Sequence, residues 1–419
     1  CTNSFGRRTS GACDMEKTLE LLARYESRNV TYMEEDRSWP IVWERARGMH
    51  VWDTSGKRYL DLTAAFGVAN AGHANPRVVE AGRKQMRSLL HAMGDVHPHP
   101  LKAQLVQRLG QITFERWTKG RIEARTILSN SGFEAVEAAL KTALLATGTS
   151  GVITFTGAYH GLGYGALNAT HRQYFRGPFK SQLRQFGKPV QWPMDLNQTE
   201  SEIKKLAATK KFGAILVEPI QARGGTNVPP AGFLKVLRQL CNRFGLLLIL
   251  DEIYTGFGRT GAWFACEHEE VVPDLICLGK ALSGGFPISA CVGQADVMNR
   301  AWPRSHGEAL HTSTFLGHPV GCAMALAQIE EIAKLIEPAR KKGEFLKKLC
   351  PAMRGVGLIA GLDVASGATS MRAIKRLLRA GYIFLPEGNE GEVISFTPPL
   401  IISEAQIKES IEALQEALA

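Results

Sequence analysis

Two apolar runs near the middle of the chain each end in an ionisable residue. LLLIL (246–250) leads into Asp251 and Glu252, and LICLG (275–279) leads into Lys280. Runs of this length, bounded by polar or glycine-rich signals, read as strands buried on both faces, the type found in parallel sheets. In open α/β sheets, reactive groups collect just past the carboxyl ends of such strands. An Asp and a Lys bordering a sheet interior are costly for stability alone. Singly, each is more often a turn or cap residue. Two of them, followed by the glycine-rich loops TGFGRTG (255–261) and ALSGG (281–285), point to a site.

Other residues fall at comparable places. RTILSN reads as a strand, Ser131-Gly132-Phe133 as a turn, and EAVEAALKTALLA as a helix. A strand, a glycine-containing turn and a helix N-terminus make an anion site, because free N–H groups and the helix dipole converge there. An ordinary turn capped by Ser131 fits the same pattern. GVITFTGAYHG (151–161) ends in Gly, Tyr159 and His160, and GAILVEPIQARGG (213–225) leaves Glu218 and Gln221 beyond its end.

These residues need a scaffold, and the pattern supplies one. Strand and helix signals alternate from about 124 to 292, with helices expected at 199–210 and 231–244. That alternation predicts an α/β fold with a mostly parallel central sheet and helices on both faces. Upstream, Leu19, Leu22 and Ala23 have helical spacing. IVWERARGMHVWDTSGKRYLDL (41–62) alternates around Thr54-Ser55-Gly56 as short antiparallel strands. AAFGVANAGHANP (64–76) is a small-residue loop where backbone can approach a ligand. Residues 76–118 read as helical with a break at HPHP (97–100). His97 and His99, lacking acidic or Cys partners at ligand spacing, read as loop residues, and no metal site is expected. Residues 293–318 are loop-rich, and a long helix is expected from Val320 to Leu335. Beyond 340 the order helix, strand, helix, strands, helix describes a smaller α+β domain.

Composition narrows the class. A chain of 419 residues exceeds one hydrophobic core, so more than one domain is expected. Apolar content of 45% and charged content of 21% suit a globular protein. No apolar run approaches the ~18 residues that span a bilayer, so no membrane role is expected. The first fourteen residues lack the apolar stretch of a secretory signal. Met15 is read as the natural start, with 1–15 an extension or disordered segment. The formal charge of +10 is spread along the chain, which argues for a solvated surface, with a bias toward small anions, rather than nucleic acid. Eight Cys without a CxxC pair read as reduced thiols in a cytoplasm.

Seven stretches together carry a resemblance: SNSGFEAVEAALK, TGAYHG, VEPIQ, LILDEIYTGFGRTG, PDLICLGKALSGGFPISA, TSTFLGHP and FTPPL. Their order and spacing resemble the class III aminotransferases of the ornithine/4-aminobutyrate type, pyridoxal 5′-phosphate enzymes of fold type I. The resemblance runs from about Trp43 to the C-terminus, and seven motifs in register are specific where each alone is weak. It implies a large cofactor-binding domain at 76–330 and a small domain at 331–419 joined by the segment 16–75. It implies transfer of an amino group from an amine or ω-amino acid to a 2-oxo acid by a ping-pong cycle.

The same resemblance implies roles. Lys280 is the Schiff-base and proton-shuttling residue, and Asp251 keeps the pyridine nitrogen protonated. Ser131, Gly132 and Phe133 fall at the phosphate turn, where the family has a small residue in place of Phe133. Thr314 reaches the phosphate of the neighbouring subunit, which implies a homodimer with shared sites. Tyr159 and Ile253 cover the two ring faces, Tyr254 stands where the ring hydroxyl is contacted, and His160 and Glu218 support the cofactor.

Substrate residues depart from the pattern. Ser395 stands where the family has a carboxylate-binding Arg, and Arg223 stands where it has that Arg's partner Glu. Arg223 therefore either takes over carboxylate recognition from the opposite wall or faces solvent or an acidic neighbour. Phe66, Trp43 and Phe133 are candidate pocket walls, although each reads singly as core packing. A racemase or aminomutase on the same fold would use the same Lys and Asp, although the GFGRTG loop fits the transaminase branch better. A regulatory DNA-binding reading lacks a helix-turn-helix segment ahead of Trp43.

Overall fold

The computed structural model describes residues 11–36 and 38–419. After a helix at Gly11–Tyr25, three short strands follow: β1 (Trp43–Arg47), β2 (His50–Asp53) and β3 (Arg58–Asp61). They pair antiparallel, as their alternation predicts. The Asp53 carboxylate closes the β2–β3 turn, accepting the Ser55 and Lys57 N–H groups and the Tyr59 hydroxyl. Of the segment read as an extension, residues 1–10 lie outside the described residues and 11–15 begin that first helix.

The central strands are β4 (Ala124–Ser129), β5 (Gly151–Phe155), β6 (Gly187–Val190), β7 (Phe212–Val217), β8 (Leu247–Asp251), β9 (Leu275–Leu278) and β10 (Ser289–Gln294). Their spatial order is β4-β10-β9-β8-β7-β5-β6. Neighbours from β9 to β6 are parallel, and β10 is antiparallel to both β9 and β4. Two reversals leave β4 running with the parallel group. The carboxyl ends of β4, β5, β7, β8 and β9 therefore meet at one edge, and only β10 points away.

Side chains alternate between two apolar layers, which is why the strands read as continuous apolar runs. Leu248 and Leu250 face one core with Ile215, Val217 and Leu237. Leu247 and Ile249 face another, covered by Ala135, Ala138 and Ala139 of the helix Gly132–Thr147. That helix is rich in Ala and Leu, the best helix formers, and Gly148 ends it in a left-handed conformation at φ 68°. Truncating Leu248 to Ala at this fully buried position would cost about 2–5 kcal/mol.

The last third carries β11 (Arg354–Val356), β12 (Ile359–Asp363), β13 (Tyr382–Ile383), β14 (Leu385–Glu387) and β15 (Val393–Phe396). Four of these form a sheet in the order β11-β12-β15-β14, while β13 joins β3 in parallel. Met49, Leu60 and Leu62 share one core with Leu346, Leu377, Phe396 and Leu414, so the N-terminal segment packs with the C-terminal third. Arg259, fully buried, binds the Leu358 and Pro398 carbonyls and Asn70 Oδ1. Through it the GFGRTG loop is fastened to both chain ends.

The HPHP break separates helices Pro76–Ser88 and Pro100–Ile112. His99 caps the second helix, its Nδ1 accepting the Lys102 N–H at 3.3 Å. The helix expected at 199–210 runs from Leu196 to Ala208 because Asp195 caps it earlier. Among the described residues no group of His, Cys, Asp and Glu is placed to hold a metal. None of their helices is long and apolar enough to cross a membrane.

Candidate active site

The edge where five strands end borders a cavity of about 400 Å³. Ten of the fifteen residues singled out from the sequence line it: Gly132, Phe133, Tyr159, His160, Glu218, Arg223, Asp251, Ile253, Tyr254 and Lys280. They come from the ends of β4, β5, β7, β8 and β9 or the segments just after them. Gly161, Leu162 and Ile220 complete the lining.

Asp251 ends β8 and is held on both oxygens. Oδ2 lies 2.7 Å from His160 Nδ1, and Oδ1 accepts the Ile253 N–H at 3.2 Å. Burial works against a charged His160, but the hydrogen bond and charge of Asp251 outweigh it and raise the imidazole pKa. His160 Nε2 is buried with no partner among the described residues.

Lys280 follows β9 at a backbone φ of 38°, a strained value for a residue with a Cβ. Its Nζ sits 4.7 Å from the centre of the Tyr254 ring. Burial pushes its pKa down, while Asp251, Glu218 and Glu387 pull it back up. Glu218, past the end of β7, is buried and pushed up to about 7, with His160 opposing the shift. Its Oε1 accepts the Tyr159 N–H at 2.9 Å, which fixes the turn after β5. The Tyr254 hydroxyl is 3.2 Å from Thr397 Oγ1, and burial raises its pKa to about 12.

The helix Gly132–Thr147 starts at the cavity. Its first N–H groups, those of Gly132 and Phe133, have no carbonyl four residues back within the helix. Glu134 occupies the cap instead, accepting the Ser131 N–H at 2.7 Å and the Ser131 hydroxyl at 2.9 Å. Ser131 therefore sits behind the turn and does not line the cavity.

Arg223 lies on the far wall, about one third exposed, with its guanidinium 5.6 Å from the Tyr159 ring centre. Its Nε is 3.5 Å from Glu387 Oε2 of β14. Sequence reasoning missed Glu387. The signal was present, an acid directly after the apolar YIFLP run, but nothing in the sequence placed that hairpin against the loop after β7.

Four of the fifteen lie elsewhere besides Ser131. Ser395 is buried within the C-terminal sheet, its hydroxyl donating to the Leu385 carbonyl at 3.0 Å. Trp43 stands on β1 edge-on to His73, and Phe66 is half exposed at φ 61°. Thr314 is exposed, next to Ser313, whose hydroxyl accepts the Asn130 side-chain amide at 3.3 Å.

The donor set suits a phosphorylated, aldehyde-bearing pyridine. A buried carboxylate and an amine line the cavity with the N-terminal residues of a helix, whose first N–H groups lack a helical carbonyl. A family profile described as aminotransferase class-III matches residues 31–418. The acetylornithine aminotransferase of Methanopyrus kandleri is 35% identical over 408 residues, covering 95% of this chain and 98% of that one. Its counterpart in Archaeoglobus fulgidus is 36% identical over 380 residues, covering 89% and 94%. The crystallised ornithine aminotransferase of Toxoplasma gondii superposes with a TM-score of 0.84 at 28% identity, covering 98% of both chains.

Proposed function

The chain belongs to the class III aminotransferases, and from that premise we propose which of its residues do the work. It is a fold type I enzyme that moves an amino group from an amine or amino acid to a 2-oxo acid by a ping-pong cycle, with pyridoxal 5′-phosphate as cofactor. The racemase or aminomutase alternative finds no support in these matches.

When bound, the cofactor supplies an electron sink that makes the substrate carbon acidic. Lys280 would hold it covalently and afterwards move a proton at Nζ. The depressed lysine pKa supports this role, since a neutral amine accepts that proton more readily. Asp251 would face the pyridine nitrogen, with His160 and the Ile253 N–H keeping the carboxylate in place. Gly132 and Phe133 would seat the phosphate on their N–H groups, with Ser131 and Glu134 fixing the turn. Tyr159 and Ile253 would cover the ring faces, Tyr254 would meet the ring hydroxyl, and Glu218 would support the Tyr159 turn.

Substrate selection falls to Arg223, which we read as the seat for a substrate carboxylate. Its place on the cavity wall supports this, as does a relative named for acetylornithine, an amino acid. Ser395 contributes no charge there, and Trp43 and Phe66 would shape the entrance. The boundaries near 76 and 331 would divide a large cofactor domain from a small one built from both chain ends.

A second copy of the chain would complete the site. Phe133 and Leu162 leave apolar surface exposed at the cavity rim, and Thr314 stands free to reach a neighbour's phosphate seat. Among the described residues, six buried free thiols suit a reducing cytoplasm.

The observation that carries the reading is that Lys280 and Asp251, 29 positions apart in sequence by subtraction, line one cavity. The test is amino transfer to pyruvate from a panel of ω-amino acids, diamines, arylalkyl amines and α-amino acids. Lys280→Ala should lower the rate by at least about 10^4-fold. A variant within tenfold of the parent would remove Lys280 from the mechanism.

A further inference from the structure

Arg223 and Glu387 meet across two parts of the chain that the fold clamps together. The Gly388 N–H donates to the Arg223 carbonyl at 3.2 Å, and Arg172 Nη2 donates to the Asn389 carbonyl at 2.6 Å. Glu387 itself has a side chain only 3% exposed, whereas that of Arg223 is 32% exposed. The carboxylate approaches the guanidinium at Nε, at 3.5 Å, too far for a good hydrogen bond. Nε is buried without a hydrogen-bond partner among the described residues. The Tyr159 ring lies toward the guanidinium. The Nε edge thus faces Glu387 in a long ion pair, while the residue also lines the cavity.

We propose that Glu387 is a positioning residue for Arg223: it holds the Nε edge so that the Nη edge faces the cavity as a carboxylate seat, and it takes up a proton from solvent when that seat is filled. This rests on the reading of Arg223 as the carboxylate site. The proton follows from charge. Above pH 7 the empty pair is neutral. A substrate carboxylate on the same guanidinium adds a second anion that shares one cation, and burial prevents water from screening the first. The other groups around Glu387 are Lys280 and Arg172, which favour its charged form, and the uncharged phenols of Tyr254 and Tyr159. Burial, opposed chiefly by Arg223, already pushes the Glu387 pKa up to about 7. Below that pH the carboxyl is protonated in both states, and oxo-acid binding is independent of it. Above pH 7 binding requires proton uptake, so apparent KM rises with pH by up to tenfold per unit until the bound-state value is passed.

The experiment measures KM and kcat for pyruvate and 2-oxoglutarate from pH 6 to 9 on holoenzyme, for the parent, Arg223→Ala, Glu387→Leu and Glu387→Gln. Glu387→Leu should raise oxo-acid KM about tenfold, with kcat changed far less, because the guanidinium loses its aim. Glu387→Gln keeps a polar group of the same size beside Nε. It should restore KM at neutral pH to within a few fold and flatten its rise above pH 7. If Arg223→Ala raises KM but both Glu387 variants keep the parent's KM and pH profile, Glu387 has no such role. If Arg223→Ala leaves KM unchanged, the carboxylate-seat reading itself fails. Should Glu387→Leu not fold, the Glu387→Gln profile alone decides: a retained rise overturns the proposal, and a flat one supports it.

Discussion

Asp251 and Arg223 follow neighbouring strands and border the same cavity, yet they are held in opposite ways. Asp251 is 5% exposed and bound on both oxygens, by a ring nitrogen at 2.7 Å and a backbone N–H at 3.2 Å. Arg223 is partly exposed, and its ion-pair contact is long, at 3.5 Å. A group whose charge must be fixed for every substrate tolerates over-determination. A group that must meet different substrates needs a free edge. On this view the chemistry is built from short hydrogen bonds between strand ends, and selectivity from a loosely tied side chain on the loop beyond.

The comparison breaks first at its rigid side. Asp251→Asn keeps the shape and removes the charge. It should lower kcat by about 10^2- to 10^3-fold, the usual scale for losing a preorganised electrostatic partner, and leave oxo-acid KM within a few fold. A change carried mainly by KM would show that Asp251 and Arg223 are not divided in this way. Thermal stability should also fall at neutral pH, because the hydrogen bond and charge that hold His160 are weakened, although Asn can still accept the Ile253 N–H.

His160→Gln loosens Asp251 without touching its charge. Losing a hydrogen bond to a buried carboxylate costs about 1.5–3 kcal/mol, so kcat should fall about tenfold or more with KM steady. The pH dependence of stability supplies a second reading. The His160 pKa is raised above its ordinary 6.5, so its contribution is complete below 6.5 and lost as pH rises through the raised value. The parent should therefore lose melting temperature across the interval above 6.5, and the Gln variant should lose less. Identical curves would mean that the imidazole is neutral throughout and merely fills space.

The two sides also differed in how legible they were. Asp251 and Lys280 announced themselves because an apolar run ending in a charge has few inexpensive explanations, and the strand order delivers both to one edge. The turns carrying Gly132, Tyr159 and Glu218 were legible as strand ends, although an ordinary capped turn fitted the Gly132 pattern as well. Arg223 was visible only as a departure from a familiar motif. Its partner Glu387 carried a local signal, but their meeting was not visible, because β14 lies against the loop after β7 across 164 positions of sequence by subtraction. Ser395 shows the converse limit. Position in a motif predicted a cavity residue, but strand pairing with Gly361 and Leu385 spends its hydroxyl inside the sheet. Local pattern reports which strand end a residue occupies. It does not report what a distant hairpin brings to meet it.

Ser395 offers the smallest and most discriminating test. Its hydroxyl donates to the Leu385 carbonyl on the strand that carries Glu387 two residues later. Ser395→Ala should cost about 1 kcal/mol of stability in urea denaturation, the net worth of one hydrogen bond. It should leave oxo-acid KM unchanged, because no charge that meets substrate is altered. A rise in KM matching that of Glu387→Leu would mean that β14 shifts when the bond is lost, and that the aim of Arg223 depends on the whole hairpin rather than on one carboxylate. An unchanged KM with the expected loss of stability would confine the aiming to Glu387 and leave Ser395 as sheet structure alone.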